Sequence, residues 1–506
     1  MKRMLLIALL LQGFCYHTIA QTDDEEIVFL TRLFNNVDII TPIDDERYLS
    51  MPAGEFNHSQ ILNIPESTQA DLLHKVLIIV DSTLYVDLKY EIDRYAYDIH
   101  HVYGCNLIME WVDDETYQDI KSLILSYQSG LDGCVFFGDI VPAQYEAFDL
   151  ASDTTFKNWP SDLYYMDLTG IWTDTTNNHV FDVYSGDMKP EIFIGRISTT
   201  NMGHLLDEVE GMRMYLNKNH KYWIGHQHIE KKSGLAYTNN DWKDNSKFTD
   251  SILFLYGNGN YNSFTSDNLT SFGREDYLNR LGDSDYEFIQ LASHSNYDYH
   301  CKFGRLGNEY IYGNEVFNHE IQALGFNLFC CYACRWISAS NTRAFLAGDY
   351  IYTPNSKGLC VVGSTKSGSM YPFTNFYKSL GQRKTMGQAL VDWWRKKIPY
   401  YHDLELCWFS GLTIIGDPLV NFFHCTNSTC QDQISLNSYN SSNSPLSYYL
   451  ASESITIAPT TGSFTIPIGD HCIFNAPTVE INGEFLCPQG SSMEILNEGC
   501  RDNCDE

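Results

Sequence analysis

Two stretches of the chain set reactive side chains where an apolar run stops. Phe288-Ile289-Gln290-Leu291-Ala292 leads into Ser293-His294-Ser295, and Asn327-Leu328-Phe329-Cys330-Cys331-Tyr332-Ala333 leads into Cys334-Arg335-Trp336. An imidazole can take the proton of a thiol, and the resulting thiolate attacks a carbonyl carbon without help from a metal. Neither residue is evidence alone, because a histidine after a strand is usually a hydrogen-bonded structural group and a cysteine in an apolar run is usually inert core. The pair gains meaning from its spacing. Forty residues separate His294 from Cys334, about one strand-helix-strand crossover with a loop, which sets two strand ends side by side. Beyond the carboxyl ends of strands is where open α/β sheets bind ligands.

The elements around the pair follow one rhythm. Val76 to Val80 is a continuous apolar run, followed by a helical stretch near Asp87 to His100. Cys105 to Trp111, a helix over Thr116 to Ser129 and Cys134 to Phe137 come next. Glu191 to Ile194, Leu205 to Asn217, Ser233 to Tyr237, Glu287 to Ala292, Asn327 to Tyr332 and Leu359 to Gly363 repeat the pattern, and Thr385 to Lys397 is amphipathic. Strands apolar throughout, alternating with helices, read as a parallel sheet covered on both faces. The expected fold is α/β over residues 71–425, in two subdomains meeting near 215. A small all-β module is expected over 426–506, where the composition turns to Ser, Asn, Thr and Tyr and turns such as Asn482-Gly483 separate short alternating stretches.

Composition narrows the partners. The 506 residues carry 33 basic and 64 acidic side chains, a net charge of −31, which disfavours nucleic acid and anionic lipid. The start reads as a cleaved signal over residues 1–20: Lys2 and Arg3, an apolar stretch from Met4 to Leu11, and Ala20 before Gln21. Phe14 before Cys15 argues against a lipid anchor, and no later apolar run reaches the ~18–20 residues of a transmembrane helix. The mature chain is therefore expected to be secreted or at the cell surface, with residues 21–70 an acidic extension or propeptide. Export makes disulfides reasonable among Cys425, Cys430, Cys472, Cys487, Cys500 and Cys504, and the other cysteines read as buried thiols. Ser293, Ser295 and Ser364 do not lie in Gly-x-Ser-x-Gly, so a serine-hydrolase reading is weak.

Several pieces, in order, resemble the gingipain-like cysteine peptidases, whose fold is caspase-like. They are Val76-Leu77-Ile78-Ile79-Val80; Val135-Phe136-Phe137-Gly138-Asp139; Ser161-Asp162-Leu163-Tyr164-Tyr165 with Asp167; Pro190-Glu191-Ile192-Phe193-Ile194-Gly195-Arg196; Ala292-Ser293-His294; Tyr332-Ala333-Cys334; and Ile415-Gly416-Asp417-Pro418-Leu419. The resemblance implies a doubly wound, mostly parallel sheet in two halves and hydrolysis of peptide bonds, with protein or peptide substrates. It makes Cys334 the nucleophile and His294 the acid/base. It sets Asp162 where an acid orients the histidine, and Asp187 near the position where arginine-specific members carry the acid of the P1 pocket. Backbone N–H groups, including that of Cys334, would hold the oxyanion.

The family commonly has Gly directly after the histidine and near the cysteine; here Ser295 follows His294, and Arg335 and Trp336 follow Cys334. The Ser295 N–H can still donate to the oxyanion, and Gly363 and Gly368 are expected to line the cleft in place of the missing glycines. These departures keep a second expectation open, a catalytically inactive member that binds peptides or a surface. No cofactor is required. Calcium as a structural ion is implied only by the family, with Asp167, Asp174 and Asp182 near Asn177 and Asn178 as oxygen donors that lack EF-hand spacing. The C-terminal module resembles small β modules of secreted bacterial proteins, a resemblance that implies sorting, stabilisation or surface attachment.

Overall fold

The computed structural model describes residues 59–60 and 74–500, with breaks at 149–155, 204–205, 228–231, 258, 338–344, 369–370, 398–409, 424–430, 439–445, 459–462, 469 and 498. The signal expected over 1–20 and nearly all of the extension expected over 21–70 lie outside the described residues.

Eleven strands build the central sheet: β1 (Ser59–Gln60), β2 (His74–Asp81), β3 (Cys105–Val112), β4 (Gly133–Phe137), β5 (Phe193–Ile197), β6 (Gly234–Thr238), β7 (Tyr261–Phe264), β8 (Phe288–Ala292), β9 (Gly325–Phe329), β10 (Cys360–Ser364) and β11 (Leu412–Gly416). Their order is β1-β3-β2-β4-β5-β11-β10-β9-β8-β6-β7. β2 to β5 and β11 run parallel to one another, as do β6 to β10. The two halves meet where β10 and β11 pair antiparallel, Ser364 opposite Leu412. The expected mostly parallel α/β sheet in two halves is what forms, because strands such as Val76–Val80 and Cys134–Phe137 are buried on both faces and must be apolar throughout.

The antiparallel seam decides where chemistry can sit. It brings the carboxyl ends of β8, β9 and β10 to the same edge as the amino ends of β5 and β11. Loops from both halves meet there: the Thr365 hydroxyl donates to the Pro160 carbonyl at 2.7 Å, and the Ser161 hydroxyl to the Ser410 carbonyl at 2.6 Å. On the first half, the helix Ser82–Asp98 starts at Asp81, whose carboxylate caps the Thr83 N–H at 2.9 Å. It packs along the helix Glu208–Trp223 through an Arg213–Glu91 ion pair at 2.9 Å and a buried His220–Asp98 pair at 2.7 Å. Buried Asp417 fixes the end of β11, accepting from Tyr95 at 2.9 Å, Asn219 at 2.8 Å and the Leu419 N–H at 2.8 Å. Burial still pushes its carboxyl up.

Two expectations about the strands need correction. The apolar run Asn327 to Tyr332 is not one strand. β9 ends at Phe329, where the Cys330 N–H turns back onto the Leu328 carbonyl at 2.7 Å, so Cys330 and Cys331 lie in the turn. β11, which closes the seam, is a strand the periodicity did not mark.

Beyond residue 431 the strands form separate sheets. Gln431–Leu436, Leu446–Ile457, His471–Asn475, Thr478–Ile481 and Ser492–Leu496 pair in parallel, and Ser463–Thr465 pairs with Glu484–Leu486. Asn482-Gly483 therefore joins strands with different partners and is no hairpin turn. Alternation along His471–Asn475 divides its neighbours. Phe474 enters the module's own core, while Ile473 packs on Tyr90 and Tyr97 of the helix Ser82–Asp98. Cys472 and Cys487 are free thiols, and Cys500 is disulfide-bonded.

Candidate active site

β8 delivers the histidine. Past Ala292 the chain enters a three-stranded antiparallel sheet made of His294–Ser295, Tyr299–Phe303 and Glu309–Tyr312, with His294 opposite Cys301. β6, the neighbour of β8, ends level with it, Thr238 opposite Ala292, and the Asn239 N–H donates to the Ala292 carbonyl at 2.8 Å. That bond holds the loop Asn239–Trp242 beside the histidine. His294 Nε2 lies 2.6 Å from a carboxylate oxygen of Asp241, and the Trp242 ring leans on the imidazole at 4.7 Å between centroids. The imidazole side chain is 4% exposed and that of Asp241 37%. A hydrogen bond of this length to a carboxylate fixes the ring. Looking only for Cys and His at strand ends passes over Asp241, yet it lies three residues past the end of β6, where a check of every strand end would find it.

Asp162, expected to orient His294, is committed elsewhere. Its carboxylate takes Arg196 Nε at 3.0 Å and Nη2 at 2.7 Å and the Thr413 hydroxyl at 2.5 Å. Arg196 ends the Ile194-Gly195-Arg196 piece inside the sheet, its guanidinium 4.4 Å from the Trp336 ring and 5.0 Å from Phe136. A guanidinium buried this deeply requires a paired carboxylate. That need, rather than the histidine, accounts for Asp162.

The turn after β9 delivers the cysteine. Tyr332 takes a left-handed backbone with φ 58°, uncommon for a bulky residue, and its N–H donates to the Lys366 carbonyl at 2.9 Å. The Cys334 N–H donates to the Ser364 carbonyl at 3.0 Å, so the donor expected for the oxyanion is engaged. Cys334 thus runs beside the extension of β10, while His294 stands on the opposite neighbour of β9. Its sulfur rests on Gly363, where an added Cβ would come within 2.8 Å of Sγ. The residue is 0% exposed, and burial, with the charge of Asp162 adding to it, pushes the thiol well above its ordinary range.

The expected substrate-binding residues divide. Gly363 makes room for the Cys334 sulfur. Ser295 is buried, and its hydroxyl donates to the Cys331 carbonyl. Asp187 is exposed and paired with the Lys189 ammonium at 3.2 Å. Asp174 and Asp182 turn their oxygens onto nearby N–H and hydroxyl groups, and among the described residues no group of three or more His, Cys, Asp or Glu could hold a metal ion.

A Cys/His contact is made elsewhere, inside the core. Cys330 Sγ is 3.8 Å from His300 Nδ1, His300 Nε2 is 3.0 Å from the Tyr350 hydroxyl, and that hydroxyl is 2.9 Å from Tyr277. Burial pushes His300 down to about 3, while burial, then Cys331, pushes the Cys330 thiol up. The proton stays on sulfur, and this pair is core packing.

Residues 110–423 match the sequence profile of peptidase family C25. Among solved structures the chain is similar to the Arg-specific cysteine proteinase gingipain R, at 12% identity with a TM-score of 0.50, over 73% of this chain and 83% of that one. No curated protein matches it by sequence.

Proposed function

The chain belongs to peptidase family C25, and on that premise we propose that it is a secreted cysteine endopeptidase working through Cys334 and His294, with Asp241 rather than Asp162 orienting the histidine. The observation that carries the reading is the 2.6 Å bond between Asp241 and His294 Nε2, on the strand next to the one that leads to Cys334. With Nε2 held by a carboxylate, Nδ1 is the nitrogen that works on substrate. Cys334 gives its proton to His294 as its sulfur attacks the scissile carbonyl carbon, and a tetrahedral intermediate forms. His294 protonates the leaving amine, and water, deprotonated by the same imidazole, releases the acyl group from sulfur.

The reaction requires the Cys330–Trp336 turn to lift the thiol off Gly363 and its N–H off Ser364. The left-handed Tyr332 is the strained point about which that turn would rearrange. A second reading, a catalytically silent member that binds peptides, draws on the 0% exposure of Cys334. Incubating the full chain with a quenched fluorogenic peptide library separates the two. An endopeptidase gives internal cleavage that Cys334→Ala abolishes. A silent member gives none, and cleavage that survives in Cys334→Ala would overturn both.

A further inference from the structure

The short sheet that begins with His294 carries more than the histidine. Cross-strand partners share a face, and residues two apart along a strand return to it. His294 faces Cys301, Tyr299 lies two residues before Cys301, and Tyr299 faces Tyr312. His294, Cys301, Tyr299, Tyr310 and Tyr312 therefore occupy one face, on which His294 and Cys301 are buried and the tyrosines more open, while the buried Ser295, His300 and Ile311 occupy the other. The three tyrosines touch, with ring centroids 5.7 Å apart for Tyr299 and Tyr310, 6.0 Å for Tyr299 and Tyr312, and 6.3 Å for Tyr310 and Tyr312. Tyr310 is 47% exposed and Tyr312 51%.

Exposed aromatic rings clustered on one face are not needed by the core, which Ile311 serves from the other side. Strand spacing sets Tyr299 roughly 8 Å from His294 and Tyr312 roughly 12 Å, two to four residues of an extended chain at about 3.3 Å each. Tyrosine offers a large apolar surface with few rotors to freeze and a hydroxyl at its rim, a combination suited to gripping peptide side chains.

We propose that Tyr299, Tyr310 and Tyr312 form a substrate platform for aromatic or large apolar side chains of an extended polypeptide, two to four residues from the scissile bond. The inference rests on the peptidase reading and deepens it. The committed occupant is substrate because the tyrosines share a sheet face, by register, with the histidine that would work on the peptide bond.

Two measurements on the full chain keep the platform and the peptidase apart. The first is fluorescence-polarisation binding to Cys334→Ala of two labelled decapeptide pools, one rich in Phe and Tyr and one without aromatics. The second is hydrolysis of quenched versions of both pools by the wild-type cysteine. The double variant Tyr310→Ser/Tyr312→Ser alters only exposed rings, and its melting temperature is recorded as the check on folding. Expected are at least tenfold weaker binding and tenfold lower kcat/KM for the aromatic pool, with less than a twofold change for the other. Tyrosine-dependent binding without turnover upholds the platform and removes the peptidase. Turnover indifferent to the tyrosines removes the platform and leaves the peptidase. Tyrosine-dependent binding of an oligosaccharide in place of peptide, or tyrosine-dependent dimers by ultracentrifugation without peptide binding, overturns the assignment.

Discussion

Replacing Asp241 by Asn keeps the shape of the side chain and removes its charge. The bond it changes is short, 2.6 Å, and joins a nearly buried imidazole to a carboxylate that solvent reaches. Hydrogen bonds to charged groups contribute about 1.5–3 kcal/mol, and solvent screening of a side chain 37% exposed holds this one near the lower end. At about 1.4 kcal/mol per factor of ten in rate, kcat/KM on a fluorogenic peptide should fall roughly tenfold. Because Asp241 lies at the surface, the thermal midpoint should move by no more than about 2 °C. The comparison is Asp162→Ala, which strands a buried guanidinium and should cost about 3–5 kcal/mol of folding stability. Rates and urea-unfolding curves for both variants would be measured side by side. Unchanged kcat/KM in Asp241→Asn, or a selective loss of rate with full stability in Asp162→Ala, would refute the assignment of Asp241 over Asp162.

Other outcomes follow from the same structure. Gly363→Ala adds a methyl 2.8 Å from Cys334 Sγ; it should cost about 1–3 kcal/mol in urea unfolding and change the rate at which iodoacetamide alkylates Cys334. Ile473→Ala, at the contact with Tyr90 and Tyr97, should destabilise by about 2–5 kcal/mol and expose the C-terminal module to limited proteolysis before the central sheet. Glu287 is buried, with Tyr256 donating to it at 2.7 Å, and burial raises its carboxyl to about 7. Its folded pKa exceeds its unfolded one, so its contribution is full below about pH 4.5 and is lost as pH rises toward 7. Urea unfolding at pH 5 and pH 7 should show that decline, and Glu287→Gln should flatten it.

The sheet is legible in the sequence because strands buried on both faces leave an uninterrupted apolar record, as Val76–Val80 and Cys134–Phe137 do. The same record misled at Asn327–Tyr332. Cys330 to Tyr332 are as apolar as the strand before them, and the turn holds no Gly or Pro; only the backbone bond from Cys330 to Leu328 ends it. β11 carries the same kind of record, Leu412-Thr413-Ile414-Ile415 between Gly411 and Gly416, in a run short enough to pass for the edge of a turn. His294 and Cys334 stood out through chemistry at strand ends. Asp241 did not, because an acid in an Asn-Asn-Asp-Trp loop resembles a solvated one until β6 is known to lie beside β8. The partner of Asp162 is not legible, because Arg196 meets it only through the fold, 34 residues away in the chain.

The most direct test asks whether the sulfur seated on Gly363 becomes a nucleophile. The folded full chain would be treated with a peptidyl chloromethyl ketone and each cysteine read by mass spectrometry. The account predicts one equivalent on Cys334, a slower reaction in His294→Ala, and no modification at Cys330 or Cys331. Folded protein that leaves Cys334 unmodified, or that labels it equally fast without His294, would contradict it.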